Sequence, residues 1–367
     1  MDKLKIGVIF GGMSTEHDVS VVSGTSVIKN LDKEKYEIFP IYIAEDGRWF
    51  EYTKAIDEIE ILTVGDTIAE IEEILEPMKY LENVDVVFPV LHGLNGEDGS
   101  LQGMLELSKK KYVGCKVLAS SICMDKVYAK VIFDTAGINQ AKYIYIRKYG
   151  DKYIYVDKNF NEEILSVDKI CDMIEEKLGF PVFVKPSNSG SSVGINKSNN
   201  KKELAEHIEY AKKFDVKILI EENINGREVE CAVLGNEDVK ASCVGEILPA
   251  EDFYTFDAKY KNAESRVVMP ADLPEEVSEE IRETAIKAFK AVNGKGLSRV
   301  DFFVEKETGR IIINEINTLP GFTQISMYPK LWEQMGVSYT KLLDKIIELA
   351  IDNKIWKNEK IDKNKKM

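Results

Sequence analysis

The amino-acid sequence predicts an α/β protein of two or three domains that opens with a parallel sheet. The length of 367 residues allows that number of domains at ~100–200 residues each. The chain begins with the apolar run KIGVIF, the helical pattern SGTSVIKNL and a second strand, YEIFPIYI, which together form a βαβ unit. Near the other end, VDFFVE and IIINEIN flank the turn-forming ETGR and predict a β-hairpin.

Composition and charge exclude several classes of function. The formal net charge is −14 and no basic block could track a phosphate backbone, so no nucleic-acid partner is expected. No apolar run approaches the ~20 residues of a bilayer span, and MDKLKIGVIF opens a strand rather than a signal peptide, so no membrane partner is expected. Five cysteines without a CxxC pair predict reduced thiols and a cytoplasmic location. Three dispersed histidines argue against zinc.

Two loops at the ends of the opening strands are the first candidate ligand sites, because α/β sheets bind ligands at the carboxyl ends of parallel strands. GGMSTEHDVS offers Glu16, whereas Ser14 or Ser20 is expected to cap the following helix. VDVVFPVL is followed by HGLNGEDGSLQGML, which places His92 and Glu97 among four glycines. The first domain is expected to end near residue 120, where Ser120 or Ser121 would cap a helix that carries Lys126.

The central part of the chain predicts a phosphate site. The strand PVFVK delivers Lys185 to the loop SNSGSSVG, whose backbone N–H groups could wrap triphosphate oxygens. This is not a P-loop, since G-x-x-x-x-G-K-[ST] is absent; the alternative is a plain flexible hairpin. In VKILIEENINGREVECAVLG, Glu221 and Glu222 end one strand and Glu228 opens the next. The backbone of the link between the strands could bind the edge of a purine, and a nearby carboxylate could accept hydrogen bonds from the ribose hydroxyls. A charged strand end facing water remains the alternative.

Residues 249–270 form a long polar loop between prolines, with Lys259 and Tyr260 as its working groups if it closes as a lid. In the hairpin, Asp301 lies on the first strand, and Glu315 and Asn317 share one face of the second.

This set of oxygen ligands suits Mg²⁺, and Arg299 shares the face of Asp301. Pro320 and Gly321 follow the second strand and could hold an anion with backbone N–H groups. An ordinary hairpin with solvated acids remains the alternative.

Taken in order, the segments IFGGMSTEHDVS, LHGLNGEDGSLQGML, MDK, VKPSNSGSSVG, EENINGREVE, DAKY, SRVDFF and NEINTLPGFTQISM resemble the D-alanine–D-alanine ligase family of ATP-grasp enzymes. The resemblance implies a three-domain ATP-grasp fold with an N-terminal parallel-sheet (pre-ATP-grasp) domain. The implied domains are residues 1–120, 121–215 and 216–357, with a tail at 358–367. The resemblance also implies an ATP-dependent reaction that joins two D-alanines through an acyl phosphate to make peptidoglycan precursors. It further implies two Mg²⁺ (or Mn²⁺) ions and a homodimer.

The resemblance implies roles for individual residues. The catalytic residues would be Glu16, Ser191, Tyr260, Arg299 and Gly321, and the substrate-binding residues His92, Ser326 and Met327. The ATP-binding residues would be Lys126, Lys185, Ser192, Glu221, Glu222, Ile224, Glu228 and Lys259, and the metal ligands Asp301, Glu315 and Asn317.

Two positions bear on the second substrate. Family members that make D-alanyl-D-lactate lack the lid tyrosine, so Tyr260 predicts an amine nucleophile. His17 stands where the commoner form has Arg, which leaves a D-alanine–D-serine ligase of the glycopeptide-resistance type as the alternative. A non-catalytic nucleotide-binding module is the alternative from another class, and a biotin-carboxylase-like ligase is disfavoured by HGLNGEDG and DAKY.

Overall fold

The computed structural model describes residues 2–248 and 266–352. The strands are β1 (Leu4–Gly11), β2 (Tyr36–Ile43), β3 (Trp49–Tyr52), β4 (Ile71–Glu73), β5 (Val86–Pro89), β6 (Lys111–Tyr112), β7 (Tyr143–Tyr149), β8 (Lys152–Val156), β9 (Glu162–Leu165), β10 (Val182–Pro186), β11 (Asn196–Ser198), β12 (Lys217–Glu222), β13 (Gly226–Gly235), β14 (Lys240–Leu248), β15 (Arg266–Val268), β16 (Gly296–Glu305) and β17 (Ile311–Asn317). The helices are α1 (His17–Asn30), α2 (Pro77–Tyr80), α3 (Ser100–Leu107), α4 (Val117–Met124), α5 (Lys126–Thr135), α6 (Val167–Lys177), α7 (Lys201–Ala211), α8 (Glu275–Ala291), α9 (Met327–Gln334) and α10 (Tyr339–Asp352).

The first sheet has the strand order β4-β3-β2-β1-β5-β6. Strand β1 pairs in parallel with β2 and β5, and β5 pairs in parallel with β6, which confirms the predicted parallel opening. Strands β3 and β4 add an antiparallel edge that the sequence analysis did not predict. The buried run Ile6–Gly11 of β1 accounts for its central position, because a strand covered on both faces is apolar throughout.

The second and third sheets are antiparallel. The second has the order β11-β10-β12-β7-β8-β9, and the third β15-β14-β13-β16-β17. Helices α6 and α7 cover the second sheet with Ile170, Ile174, Leu204 and Ile208. Helix α8 covers one face of the third sheet with side chains at helical spacing, such as Ile281 and Ala285.

One continuous core joins the first sheet to the C-terminal helices. The rings of Phe88 and Phe322 are 6.0 Å apart and nearly perpendicular, a favoured aromatic arrangement. Tyr328 on α9 donates a hydrogen bond to the carbonyl of Val233 on β13 (3.1 Å). Leu342 on α10 belongs to the same core. This packing holds the loops after β1 and β5 against the loop after β17.

The predicted helix caps at serine are wrong, because these serines connect loops instead. Ser14 and Ser20 donate to the carbonyls of His92 and Val90 (both 2.6 Å), and α1 has no side-chain cap. Ser121 donates to the carbonyl of Asp98 (2.8 Å). Helix α5 is capped by Asp125, whose side chain accepts from the N–H groups of Val127 and Tyr128 (3.1 and 3.2 Å).

The predicted domain boundaries remain predictions. Strand β12 pairs with β7 and β10 in the second sheet although it follows the predicted boundary after residue 215. A boundary in the link between β12 and β13 would keep each sheet whole, and we propose it there. Lys259, Tyr260 and the predicted tail at 358–367 lie outside the described residues, as do residues 249–265 of the predicted lid.

Candidate active site

A cleft of about 930 Å³ lies between the second and third sheets, and loops of the first sheet reach its end. It brings together most of the candidate residues from the sequence. The lining includes Glu16, His92, Lys126, Lys185, Ser191, Ser192, Glu221, Glu222, Ile224, Glu228, Arg299, Glu315, Asn317, Gly321, Ser326 and Met327. Asp301 is not in the lining; it is buried beside Arg299.

Glu16 is held where the first and second sheets meet. The hydroxyl of Ser191 donates a hydrogen bond to its carboxylate. A Cβ atom at Gly93 or Gly190 would lie 2.5 or 2.6 Å from its Oε2, so glycine at both positions lets the backbone approach the carboxylate. Ser191 and Ser192 adopt φ values of 47° and 62°, a left-handed conformation that costs a non-glycine residue about 1–3 kcal/mol. Such strain is typical of functional loops.

His92 is neutral and joins two loops. Its Nδ1 is 3.2 Å from the carbonyl of Leu319, which can only accept, so Nδ1 carries the proton. Its Nε2 then accepts from the hydroxyl of Ser23 (3.0 Å). Burial lowers the pKa of His92, although the nearby Glu16 acts in the opposite direction. The side chain therefore positions the loop after β17 as a neutral imidazole.

Glu97 connects the same two loops. Its carboxylate accepts from the N–H groups of Gly93 (2.8 Å) and Leu319 (3.1 Å). Desolvation, with a further contribution from Glu16, raises the pKa of Glu97 to about 8. From the sequence, Glu97 was one of the polar groups of its loop and had no assigned role; in the structure it connects this loop to the loop after β17.

Lys126 extends from the first turn of α5 across the cleft. Its Nζ donates to the carbonyl of Ser189 (2.6 Å) and lies 3.7 Å from the carboxylate of Glu315. Asp125 accepts from Ser187 in the same loop (2.6 Å) and from Lys217. The serine loop is thus bound to the start of α5, where helix N–H groups favour anions.

Glu221 lies between two lysines. Its Oε1 is 2.5 Å from Nζ of Lys130 on α5, and its Oε2 is 2.5 Å from Nζ of Lys185 on β10. Burial disfavours the ionised carboxylate, but the two ammonium groups outweigh burial and lower the pKa of Glu221 to about 2. Lys130 was not a candidate in the sequence analysis.

The link between β12 and β13 follows at the adjacent edge of the cleft. Glu222 accepts from the N–H group of Lys142 (2.8 Å). The backbone of the link is anchored by bonds from Asn223 to Pro181 (3.2 Å) and from Lys306 to Asn225 (3.0 Å). Ile224 and Glu228 line the cleft beside it. The link therefore exposes a fixed backbone edge to any ligand in the cleft.

The predicted hairpin is confirmed as β16 and β17. Asp301 pairs directly with Glu315, and Arg299 with Asn317, in antiparallel register. Arg299 donates two bonds to the carboxylate of Asp301 (2.7 and 2.6 Å), and the amide of Asn317 donates a third (3.0 Å). The guanidinium also lies 3.0 Å from the carboxylate of Glu230.

Glu230 was missed by the sequence analysis. It shares a strand face with Glu228, but the register that sets it opposite Asp301 is a property of the sheet.

The oxygen set of the hairpin fits a hard cation. Asp301 and Glu315 supply carboxylates from paired positions, and the side-chain amide of Asn317 lies beside them, as Mg²⁺ prefers. Among residues 2–248 and 266–352, no group of three or more His, Cys, Asp or Glu side chains could hold a metal. The candidate set differs from such a group because its third member is an amide.

Gly321 and Ser326 form the end of the cleft beside α9. A Cβ atom at Gly321 would lie 2.8 Å from the hydroxyl oxygen of Ser326. Ser326 Oγ accepts from the N–H group of Thr323 (2.9 Å) and lies 2.7 Å from its hydroxyl. Met327 begins α9 directly after Ser326 and is buried. These residues make this end of the cleft small and polar.

Comparison with known proteins identifies close relatives. The family model described as D-ala D-ala ligase N-terminus matches residues 5–115, and D-ala D-ala ligase C-terminus matches residues 132–348. The chain is 51% identical to the D-alanine--D-alanine ligase of Acetivibrio thermocellus, over 95% of this chain and 96% of the relative.

Solved structures agree in fold. The VanG D-Ala:D-Ser ligase from Enterococcus faecalis has a TM-score of 0.81 at 37% identity and covers 95% of this chain and 100% of that one. The D-alanine-D-alanine ligase from Coxiella burnetii has a TM-score of 0.78 at 34% identity and covers 96% of this chain and 95% of that one. In the described part of the chain, no helix is long and apolar enough to cross a membrane.

Proposed function

The chain belongs to the D-alanine–D-alanine ligase family, and we propose that it joins two D-alanines to D-alanyl-D-alanine for peptidoglycan precursor synthesis. It is an ATP-dependent ligase with the ATP-grasp fold. The observation that carries the proposal is that one cleft is lined by Glu16, Ser191, Lys185 and Arg299 together.

The chemistry requires activation of a carboxylate. The γ-phosphoryl group of ATP passes to the carboxylate of the first D-alanine and leaves ADP. The amine of the second D-alanine then attacks the carbonyl carbon of this acyl phosphate, and phosphate departs. Lys126 and Lys185 would hold the nucleotide phosphates with Ser192, since phosphoryl transfer depends on positioning and charge neutralisation. Glu221, Glu222, Ile224 and Glu228 would bind the adenosine, with Lys259 contributing from the lid.

The amino acids would occupy the other end of the cleft. Glu16, held by Ser191, would bind the ammonium group of the first D-alanine near the neutral His92. Arg299 and the N–H group of Gly321 would stabilise the oxyanion formed during attack, where each preorganised donor is worth about 3–4 kcal/mol.

Ser326 and Met327 would contact the second amino acid at the polar end of the cleft. Tyr260 would close the lid over the acyl phosphate and keep water out.

Asp301, Glu315 and Asn317 would hold two Mg²⁺ or Mn²⁺ ions. Divalent cations neutralise the charge of the transferring phosphoryl group. The carboxylate of Asp301 would serve such a cation beside Arg299, which donates to Asp301 (2.6 Å) and also lies 3.0 Å from Glu230. The homodimer and the cytoplasmic location also belong to this proposal.

D-Serine as second substrate is the alternative, since one structural relative is a D-Ala:D-Ser ligase. His17, which suggested it, does not line the cleft. Its Nδ1 lies 2.6 Å from the carbonyl of Gly12, and its Nε2 lies 3.2 Å from the hydroxyl of Tyr42. The residue therefore supports the loop after β1, and D-alanine is favoured for both positions.

Phosphate release from ATP tests these functions directly. We expect release with D-alanine alone, and no preference for a mixture of D-alanine and D-serine. Preference for the mixture would promote the alternative. An absence of D-alanine-dependent ADP production would refute both and favour a non-catalytic nucleotide-binding module.

A further inference from the structure

A buried lysine behind the cleft has no role in the proposed function. Lys130 lies one helical turn after Lys126, so the two side chains share a face of α5. Only 3% of Lys130 is exposed, and it is absent from the lining of the cleft. Its Nζ lies 2.5 Å from Glu221 Oε1, 3.4 Å from Gln140 Oε1 and 3.5 Å from the carbonyl of Ala141. Its donors are therefore directed at acceptors of the protein.

The two lysines that bind Glu221 differ in what else they can reach. Lys185 lines the cleft, whereas Lys130 approaches Glu221 from behind. The three side chains carry a net charge of +1, so this cluster favours an anion beside Lys185. An anion that draws Lys185 away removes one partner of a buried carboxylate, and a buried charge without a partner is strongly unfavourable. Lys130 remains as a partner of the Glu221 carboxylate when Lys185 leaves it.

We propose that Lys130 is a positioning residue that keeps Glu221 ionised and in place when Lys185 turns from it to the phosphates of a bound nucleotide. The inference rests on the proposed nucleotide site. An ionised Glu221 only accepts hydrogen bonds, so it matches a base that presents an amino group and opposes one that presents a carbonyl oxygen. Lys130 thereby sets a preference for adenine without contacting the nucleotide.

The test compares ADP with IDP, in which a carbonyl oxygen replaces the amino group, by calorimetric binding in the presence of Mg²⁺. For Lys130→Met we expect ADP affinity to fall by about tenfold or more, since Lys185 must stay with Glu221 or leave it unpaired. The ADP-to-IDP preference should also shrink, because a protonated Glu221 can donate to the oxygen of IDP. Lys130→Arg, which keeps the positive charge, should retain most of the ADP affinity and most of the ADP-to-IDP preference.

Two controls separate this role from a structural one. Lys142 lies 3.9 Å from Glu222 with its side chain 70% exposed, so Lys142→Met should leave both affinities unchanged. In a Glu221→Gln background, Lys130→Met should add no further loss, because Lys130 acts through Glu221.

The proposal is overturned if Lys130→Met binds ADP within about twofold of the parent chain, or if it weakens ADP and IDP equally. If Lys130→Met does not fold, Lys130→Gln is measured under the same criteria. Binding does not require turnover, so a chain that binds ADP but releases no phosphate with D-alanine refutes the proposed function and leaves this inference standing.

Discussion

Replacement of Glu221 by glutamine tests the charge cluster behind the cleft. Burial opposes ionisation of Glu221, but Lys130 and Lys185 lower its pKa to about 2 from an ordinary 4.5. At ~1.4 kcal/mol per pKa unit, this difference corresponds to about 3 kcal/mol of stabilisation. Because the pKa is lowered on folding, the contribution is complete above pH 4.5 and is lost as the pH falls toward 2.

The variant should therefore be less stable at pH 7 by at least about 3 kcal/mol, since glutamine leaves two buried ammonium groups without a counter-charge. Urea unfolding followed by circular dichroism measures the difference in the free energy of unfolding. On repeating it at lower pH, the gap between Glu221→Gln and the parent should be unchanged at pH 5 and should narrow at pH 4 and 3.

Glu222→Gln on the same strand is the matched control. Its carboxylate is 3.9 Å from the exposed Lys142, and we expect a change below about 1 kcal/mol. A gap at pH 7 no larger than that of the control, or one that does not narrow as the pH falls, would refute the reasoning.

Three further predictions concern the reaction. Lys185→Ala should abolish D-alanine-dependent phosphate release because the nucleotide phosphates lose a charged partner; a near-normal rate would contradict that role. Gly321→Ala should raise the KM for the second D-alanine several-fold by overpacking, because a Cβ atom would lie 2.8 Å from Ser326 Oγ and displace that hydroxyl at the end of the cleft. Gly103→Ala, where a Cβ atom meets nothing within 4 Å, is its control, and an equal effect there would exclude the overpacking explanation. Tyr260→His should admit D-lactate at the second position, and an unchanged acceptor profile would count against a lid tyrosine.

Local patterns in the sequence were sufficient to predict the principal strands and the hairpin. Alternating side chains and a turn signal define β16 and β17, so the faces of Asp301, Glu315 and Asn317 followed without a structure. The serine caps failed for a physical reason. A serine hydroxyl donates a hydrogen bond to whichever backbone carbonyl the fold brings near. For Ser14 and Ser20, those carbonyls belong to residues directly after the end of β5.

The sequence by itself determined the α/β class, the order of the loops around the cleft and the chemical types of the side chains at those loops. These depend on periodicity, turn residues and spacing over a few neighbouring positions. Only the tertiary structure decided that Lys130 and Lys185 share the carboxylate of Glu221, and that Glu230 stands opposite Asp301. Each of these contacts joins residues separated by tens of positions along the chain and forms only when the sheets pack. Packing then demands a partner for each buried charge, because a buried charge without one is strongly unfavourable.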